Sequence, residues 1–136
     1  MPFTLRNLVL HRVNGLSADG RQVIRAAAVA GRPVDERLLG KAAELEEHSF
    51  AEALREAMDH QFVTAGPDGT RCTLRHALIR DAVYGDLVPG EKRRFHAAFA
   101  RNLGSHPQLA AEARSVSAEL AYHLHAAGEP EGAFVA

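Results

Sequence analysis

The sequence predicts a mainly α fold: a winged helix-turn-helix with a small β-hairpin wing, followed by a helical extension. Three observations lead there. Apolar residues recur every three or four positions through most of the chain, the spacing of helices with one buried face. Capping and breaking residues fall between these segments. The one clear change of period is a pair of short β-prone runs, Phe62-Val63-Thr64-Ala65 and Arg71-Cys72-Thr73-Leu74, flanking the turn-forming Gly66-Pro67-Asp68-Gly69-Thr70.

Thr4 is placed to cap a first helix over residues 5–16, with Leu5, Leu8, Val9 and Val13 near helical spacing. Ser17 opens a second, to about residue 30, presenting Val23, Ile24, Ala27 and Ala30 on one face, and Gly31 stops it. Pro33 and Val34 form a short extended piece, since proline donates no ladder hydrogen bond and suits a strand edge. Asp35 caps a third helix over 36–45 that buries Leu38, Leu39 and Ala42. Ser49 opens a fourth, to about residue 60, and with Glu52 has the spacing of a capping box.

After the hairpin, helical period resumes at His76, with Leu78, Ile79, Ala82 and Val83 packed. Pro89 suits a first helical position, and Phe95, Ala98, Phe99 and Leu103 form the next stripe, ended by Gly104. Pro107 starts a long helix carrying Leu109, Ala113, Val116, Leu120 and Leu124, which Gly128-Glu129-Pro130 breaks. This order divides the chain into a linker helix (1–17), a winged-helix domain (18–88) and a helical extension (89–136). The fourth helix takes the recognition-helix position and Pro67-Asp68-Gly69 the wing tip.

A winged helix invites a nucleic-acid reading, and the charges oppose it. DNA affinity comes mainly from Lys and Arg neutralising phosphates. With Phe50, Ala53, Leu54, Ala57 and Met58 needed inside, the fourth helix turns Glu52, Arg55, Glu56 and Asp59 outward, and Glu44, Glu46 and Glu47 precede it. The wing adds Asp68 and, at its edge, Arg71. The net charge of −1 supplies no bulk attraction to DNA or to anionic membranes. The main basic run, Lys92-Arg93-Arg94, lies elsewhere; it reads first as a solvated helix face, otherwise as a contact patch for an acidic partner or a nucleic-acid backbone.

No chemistry announces itself. The sequence has no G-x-x-x-x-G-K-[ST] phosphate loop, no G-x-S-x-G elbow and no H-E-x-x-H pair. His123 and His125 are two apart on a helix and point to different faces, so no metal site is expected. Cys72, alone on a strand, reads as a small core hydrophobe. No enzyme activity is expected. Nor is a membrane span or a signal peptide, and the lone cysteine fits a cytoplasmic location. One segment stands out, Arg75-His76-Ala77-Leu78-Ile79-Arg80-Asp81-Ala82-Val83-Tyr84. It places a histidine at a helix N-terminus, where unpaired N–H groups favour anions, with Arg75 beside it. His76 either plays a structural part, capping its helix or filling a gap under the wing, or donates to a phosphate; chemistry alone favours the structural part.

The same segment carries a family resemblance. It resembles the most specific landmark of the region that follows the ATPase core in STAND-type AAA+ regulators, above all the large ATP-binding LuxR-type transcriptional regulators. The run from Thr4-Leu5-Arg6-Asn7-Leu8-Val9 to Leu16-Ser17, then Arg25-Ala26-Ala27-Ala28-Val29-Ala30-Gly31, resembles the family's earlier landmarks. Ala118-Glu119-Leu120-Ala121-Tyr122-His123 and Ala127-Gly128-Glu129-Pro130-Glu131 resemble the start of its tetratricopeptide-like sensor array. The resemblance implies a middle piece of a longer switch protein, a non-catalytic module coupling nucleotide state to a sensor region. Its partners would be the ATPase core and sensor domain of the same parent. ATP or ADP would belong to the parent, with no cofactor bound by this chain alone, and His76, supported by Arg75, would sense the diphosphate. The alternative is a free-standing winged-helix DNA-binding transcriptional regulator.

Overall fold

A computed structural model describes residues 3–66, 69 and 71–105. Six helices and three short strands follow in the order α1 (Phe3–Asn14), α2 (Ala18–Ala30), β1 (Val34–Asp35), α3 (Glu36–Ala42), α4 (Glu47–Asp59), β2 (Val63–Ala65), β3 (Arg71–Leu74), α5 (Ala77–Asp86) and α6 (Pro89–Ser105). The helices expected beyond Pro107, their histidines, and Pro67 and Asp68 of the expected wing tip lie outside the described residues.

Helix α2 is the hub, packing against α1, α3, α4, α5 and α6. Its run of small residues lets neighbours approach closely, and Val23, Ile24, Ala26, Ala28 and Val29 are fully buried. Ser17 caps it as expected, its Oγ accepting from the Gly20 N–H at 3.0 Å. Gly31 ends it at φ 69°, a left-handed conformation that costs glycine little, and donates to the Ala27 carbonyl. The strands form an antiparallel sheet in the order β1-β3-β2, with Val34 opposite Cys72 and Thr64 opposite Thr73. Cys72 is buried, and desolvation, with Glu36 and Asp35 nearby, pushes its thiol up to about 11, so it serves as a core residue. Helix α6 packs on α3 and α2, and Phe95, Ala98, Phe99 and Leu103 enter the same core as α2.

Several elements differ from expectation. Helix α1 begins at Phe3, so Thr4 lies inside it rather than capping it. Val13 is buried and Val9 packs on the core, whereas Leu5 and Leu8 face outward, Leu8 at 57% exposure. Helix α3 stops at Ala42, three residues early, because Glu44 turns left-handed at φ 58°. There the Leu45 N–H reaches the Gly40 carbonyl and the Glu44 N–H the Lys41 carbonyl, the paired bonds of a Schellman stop with glutamate where glycine is usual. Helix α4 ends by the same device, close to the expected residue 60, at Gln61, φ 65°, with Phe62 donating to Ala57 and Gln61 to Met58.

Helix α4 also starts two residues before Ser49. Glu46 holds the N-cap position, and the Ser49 hydroxyl donates to the Glu46 carboxylate at 3.1 Å, so the Ser49–Glu52 capping box does not form. On α5 the buried residues are Ile79, Ala82 and Val83. Leu78, about 100° round the helix from Ile79, is left 46% exposed. Gly104, expected as a stop, lies within α6.

Candidate functional site

The N-terminus of α5 forms where β3 runs out. The Arg75 N–H donates to the Phe62 carbonyl at 2.8 Å, tying the turn to the start of β2. His76 then takes an extended N-cap conformation, φ −139° and ψ 144°, and its carbonyl accepts from the N–H groups of Ile79 at 3.0 Å and Arg80 at 3.3 Å. Its imidazole makes no capping bond, and the first turn holds no acidic residue. The backbone of His76 therefore starts the helix while its ring stays exposed beside the exposed Arg75. Side-chain capping is therefore not the role of His76, and a ring this exposed does not fill a gap under the hairpin. What is left is an exposed imidazole and guanidinium at the positive end of a helix dipole, which is chemistry suited to an anion.

The basic run on α6 is divided. Arg93 and Arg94 are exposed, whereas Lys92 is half-buried, its ammonium 4.6 Å from the centroid of the Tyr84 ring. Arg80 lies over the same ring at 5.2 Å and donates from Nε to the Ala28 carbonyl at 3.2 Å, near the negative end of α2. Lys92 thus belongs to a buried cluster and the other two to the surface.

That cluster includes a residue the sequence reading passed over. His96 is fully buried, the only buried polar side chain among the described residues, and its Nε2 lies 3.1 Å from the Tyr84 hydroxyl. The two rings meet edge to face at 6.1 Å. Burial, with Arg80 and Lys92 adding positive charge, lowers the imidazole to about 4, so His96 is neutral at pH 7. A signal was present in the sequence: His96, Phe99 and Leu103 share the i, i+3, i+7 spacing of one buried face.

Helix α4 carries a correction to the charge pattern. Glu56 is not an outward acid. Its carboxylate accepts from the Ser17 hydroxyl at 2.6 Å and the Ser17 N–H at 3.0 Å, bonds that hold its pKa below the usual carboxylate range. The exposed side chains of α4 include Glu52, Arg55 and Asp59, with Glu44, Glu46 and Glu47 exposed at its entry. His48 pairs with Glu52 at 3.3 Å. Helix α4 therefore presents an acidic surface even with Glu56 withdrawn.

Among the described residues, no group of three or more His, Cys, Asp and Glu side chains is placed to hold a metal ion, and no helix is long and apolar enough to cross a membrane. No family model, curated protein or solved structure matches the chain.

Proposed function

We propose that this chain is a non-catalytic regulatory module of a cytoplasmic nucleotide-switched protein. In this reading it is a winged helix that docks on an ATPase core and reports the nucleotide state to a following helical sensor region. The observation that carries the reading is the exposed, unbonded His76 ring beside Arg75 at an open helix N-terminus. The element order fits a winged helix, with α2, α3 and α4 as the helical unit, β1-β3-β2 as its sheet and the β2–β3 hairpin as the wing. The resemblance of residues 75–84 to the STAND landmark supplies the partner: the core's bound diphosphate would sit against His76 and Arg75.

A charge-assisted hydrogen bond to a phosphate contributes about 1.5–3 kcal/mol. Losing it speeds release about tenfold or more, since about 1.4 kcal/mol is a factor of ten. The test adds the chain to the ATPase core of its parent, loaded with fluorescent ADP, and follows nucleotide release. The module is expected to slow release, and His76→Ala to restore most of the free-core rate. If His76→Ala slows release as fully as the unaltered chain, the sensing role is wrong. Base readout by α4 is disfavoured by Glu52, Asp59 and the glutamates at its entry, which meet an approaching phosphate backbone with like charge.

A further inference from the structure

We infer that this chain associates with copies of itself head to tail, the outer face of α6 on one copy seating against the outer face of α4 on the next. The drive is the division of charge over the surface, whatever the role of His76. On α6 the exposed charged residues are all arginines: Arg93, Arg94 and Arg101. The helix's acid, Glu91, is half-buried, and its carboxylate accepts from the Val88 N–H at 3.0 Å. Between residues 44 and 60 the balance is reversed. Glu44, Glu46, Glu47, Glu52 and Asp59 are exposed there, against Arg55 as the one arginine or lysine.

The two faces also match in spacing. Arg94 and Arg101 are seven residues apart, so they lie within about 20° of one line along α6 and about 10 Å from each other. Glu52 and Asp59 have the same separation on α4. Two nearly aligned helices therefore bring both carboxylates to both guanidiniums at once, a pairing that suits arginine's planar fork. The His48 contact engages Oε1 of Glu52 and leaves Oε2 for the arginine. Small residues keep the approach close: Gly90, Ala97 and Gly104 on α6, and Ala51 on α4.

Both faces are open in a single copy, so neither satisfies the other within the chain. The net charge of −1 leaves no bulk repulsion between copies, and the opposite patches steer them together. Because the two faces are different surfaces, the contact is heterologous. Each pairing leaves one face free at either end, and copies add until a ring closes or the row stops growing. Exposed ion pairs are weak, so the association belongs to high protein concentration and low salt.

The test is sedimentation velocity on the whole chain up to about 1 mM, at ~20 mM and ~0.5 M salt, between which the screening length shrinks from about 20 Å to about 4 Å. The average mass should rise with concentration at low salt and fall to that of one chain at high salt. Arg94→Gln with Arg101→Gln neutralises the α6 face, and Glu52→Gln with Asp59→Asn the α4 face. All four sites are exposed, so both double variants should keep the circular dichroism of the unaltered chain. Each alone should associate about tenfold more weakly. Mixed, the two should form a pair that does not grow: the arginines of one copy meet the acids of the other, and the remaining faces are neutral. Three results would overturn the contact: the mass of one chain throughout at low salt, either double variant associating as strongly as the unaltered chain, or a mixture that pairs no better than its components.

Discussion

Gly40 and Phe50 are the tightest joint between α3 and α4, and Gly40→Ala tests it. A methyl group at Gly40 would meet the Phe50 ring at 3.0 Å from Cδ2, 3.1 Å from Cγ and 3.3 Å from Cε2. The ring is buried near the start of α4, so it cannot swing into solvent. Overpacking a filled core costs about 1–3 kcal/mol, against which alanine in a helix interior recovers about 1 kcal/mol over glycine. The net expectation is destabilisation by about 1 kcal/mol, or a fall in Tm of about 4–8 °C for a domain near 100 residues. Phe50→Leu removes the obstructing ring, and in that background Gly40→Ala should be neutral or stabilising. Urea denaturation followed by circular dichroism gives all four corners of the cycle, with a coupling of about 2 kcal/mol expected. Equal stabilisation by Gly40→Ala in both backgrounds would refute the steric argument.

Other consequences are as direct. Glu44→Gly and Gln61→Gly relieve left-handed backbone that costs a non-glycine residue about 1–2 kcal/mol; each should stabilise by about 1 kcal/mol after glycine's greater unfolded-state freedom is subtracted. The two lie at opposite ends of α4, about 20 Å apart along its axis, so their gains should add in thermal melts. Ser17→Ala removes the α2 cap and should cost about 1 kcal/mol in urea denaturation. Glu56 has a lowered folded pKa, so its contribution is present above the ordinary carboxylate range and lost as pH falls through its own; Glu56→Gln should flatten that acid limb of stability. Finally, the chain should give no salt-dependent shift of duplex DNA at low ionic strength, and a shift abolished by Arg55→Ala would restore the DNA-reader alternative.

The features legible in the sequence were those that act locally. Ser17, Gly31, Asp35 and Pro89 mark their helix ends through bonds or dihedral limits spanning a few residues, and all four stand where expected. The stop at Glu44 was invisible because nothing in a glutamate announces left-handed backbone, and although the sequence places the end of α4 near residue 60, it does not show that Gln61 makes the turn. What drives the chain round there is the residue that follows: Leu45 packs on the core and Phe62 is buried in it. Glu56 was misread for a similar reason, its partner Ser17 being 39 residues away. Arg80 and the Ala28 carbonyl are 52 apart, and no periodicity reports such a contact. At the candidate site, the sequence placed His76 correctly at a helix start, whereas the absence of a capping bond needed coordinates.

Helix α5 joins the His76 end to the Tyr84–His96 contact. His76 precedes its first turn and Tyr84 lies in its last, with about 12 Å of helix between, too short to bend appreciably. Between them Arg80 holds the helix to the end of α2 while its guanidinium lies over the Tyr84 ring. A push on the His76 end therefore cannot be absorbed locally. It must either break the Arg80–Ala28 bond or tilt α5 as a unit, and a tilt moves the Tyr84 hydroxyl relative to His96. If an anion does bind at His76, Arg80→Ala should leave that binding intact while uncoupling it from the amide-exchange protection of α6. A loss of binding together with coupling would place Arg80 in the site itself rather than between it and Tyr84.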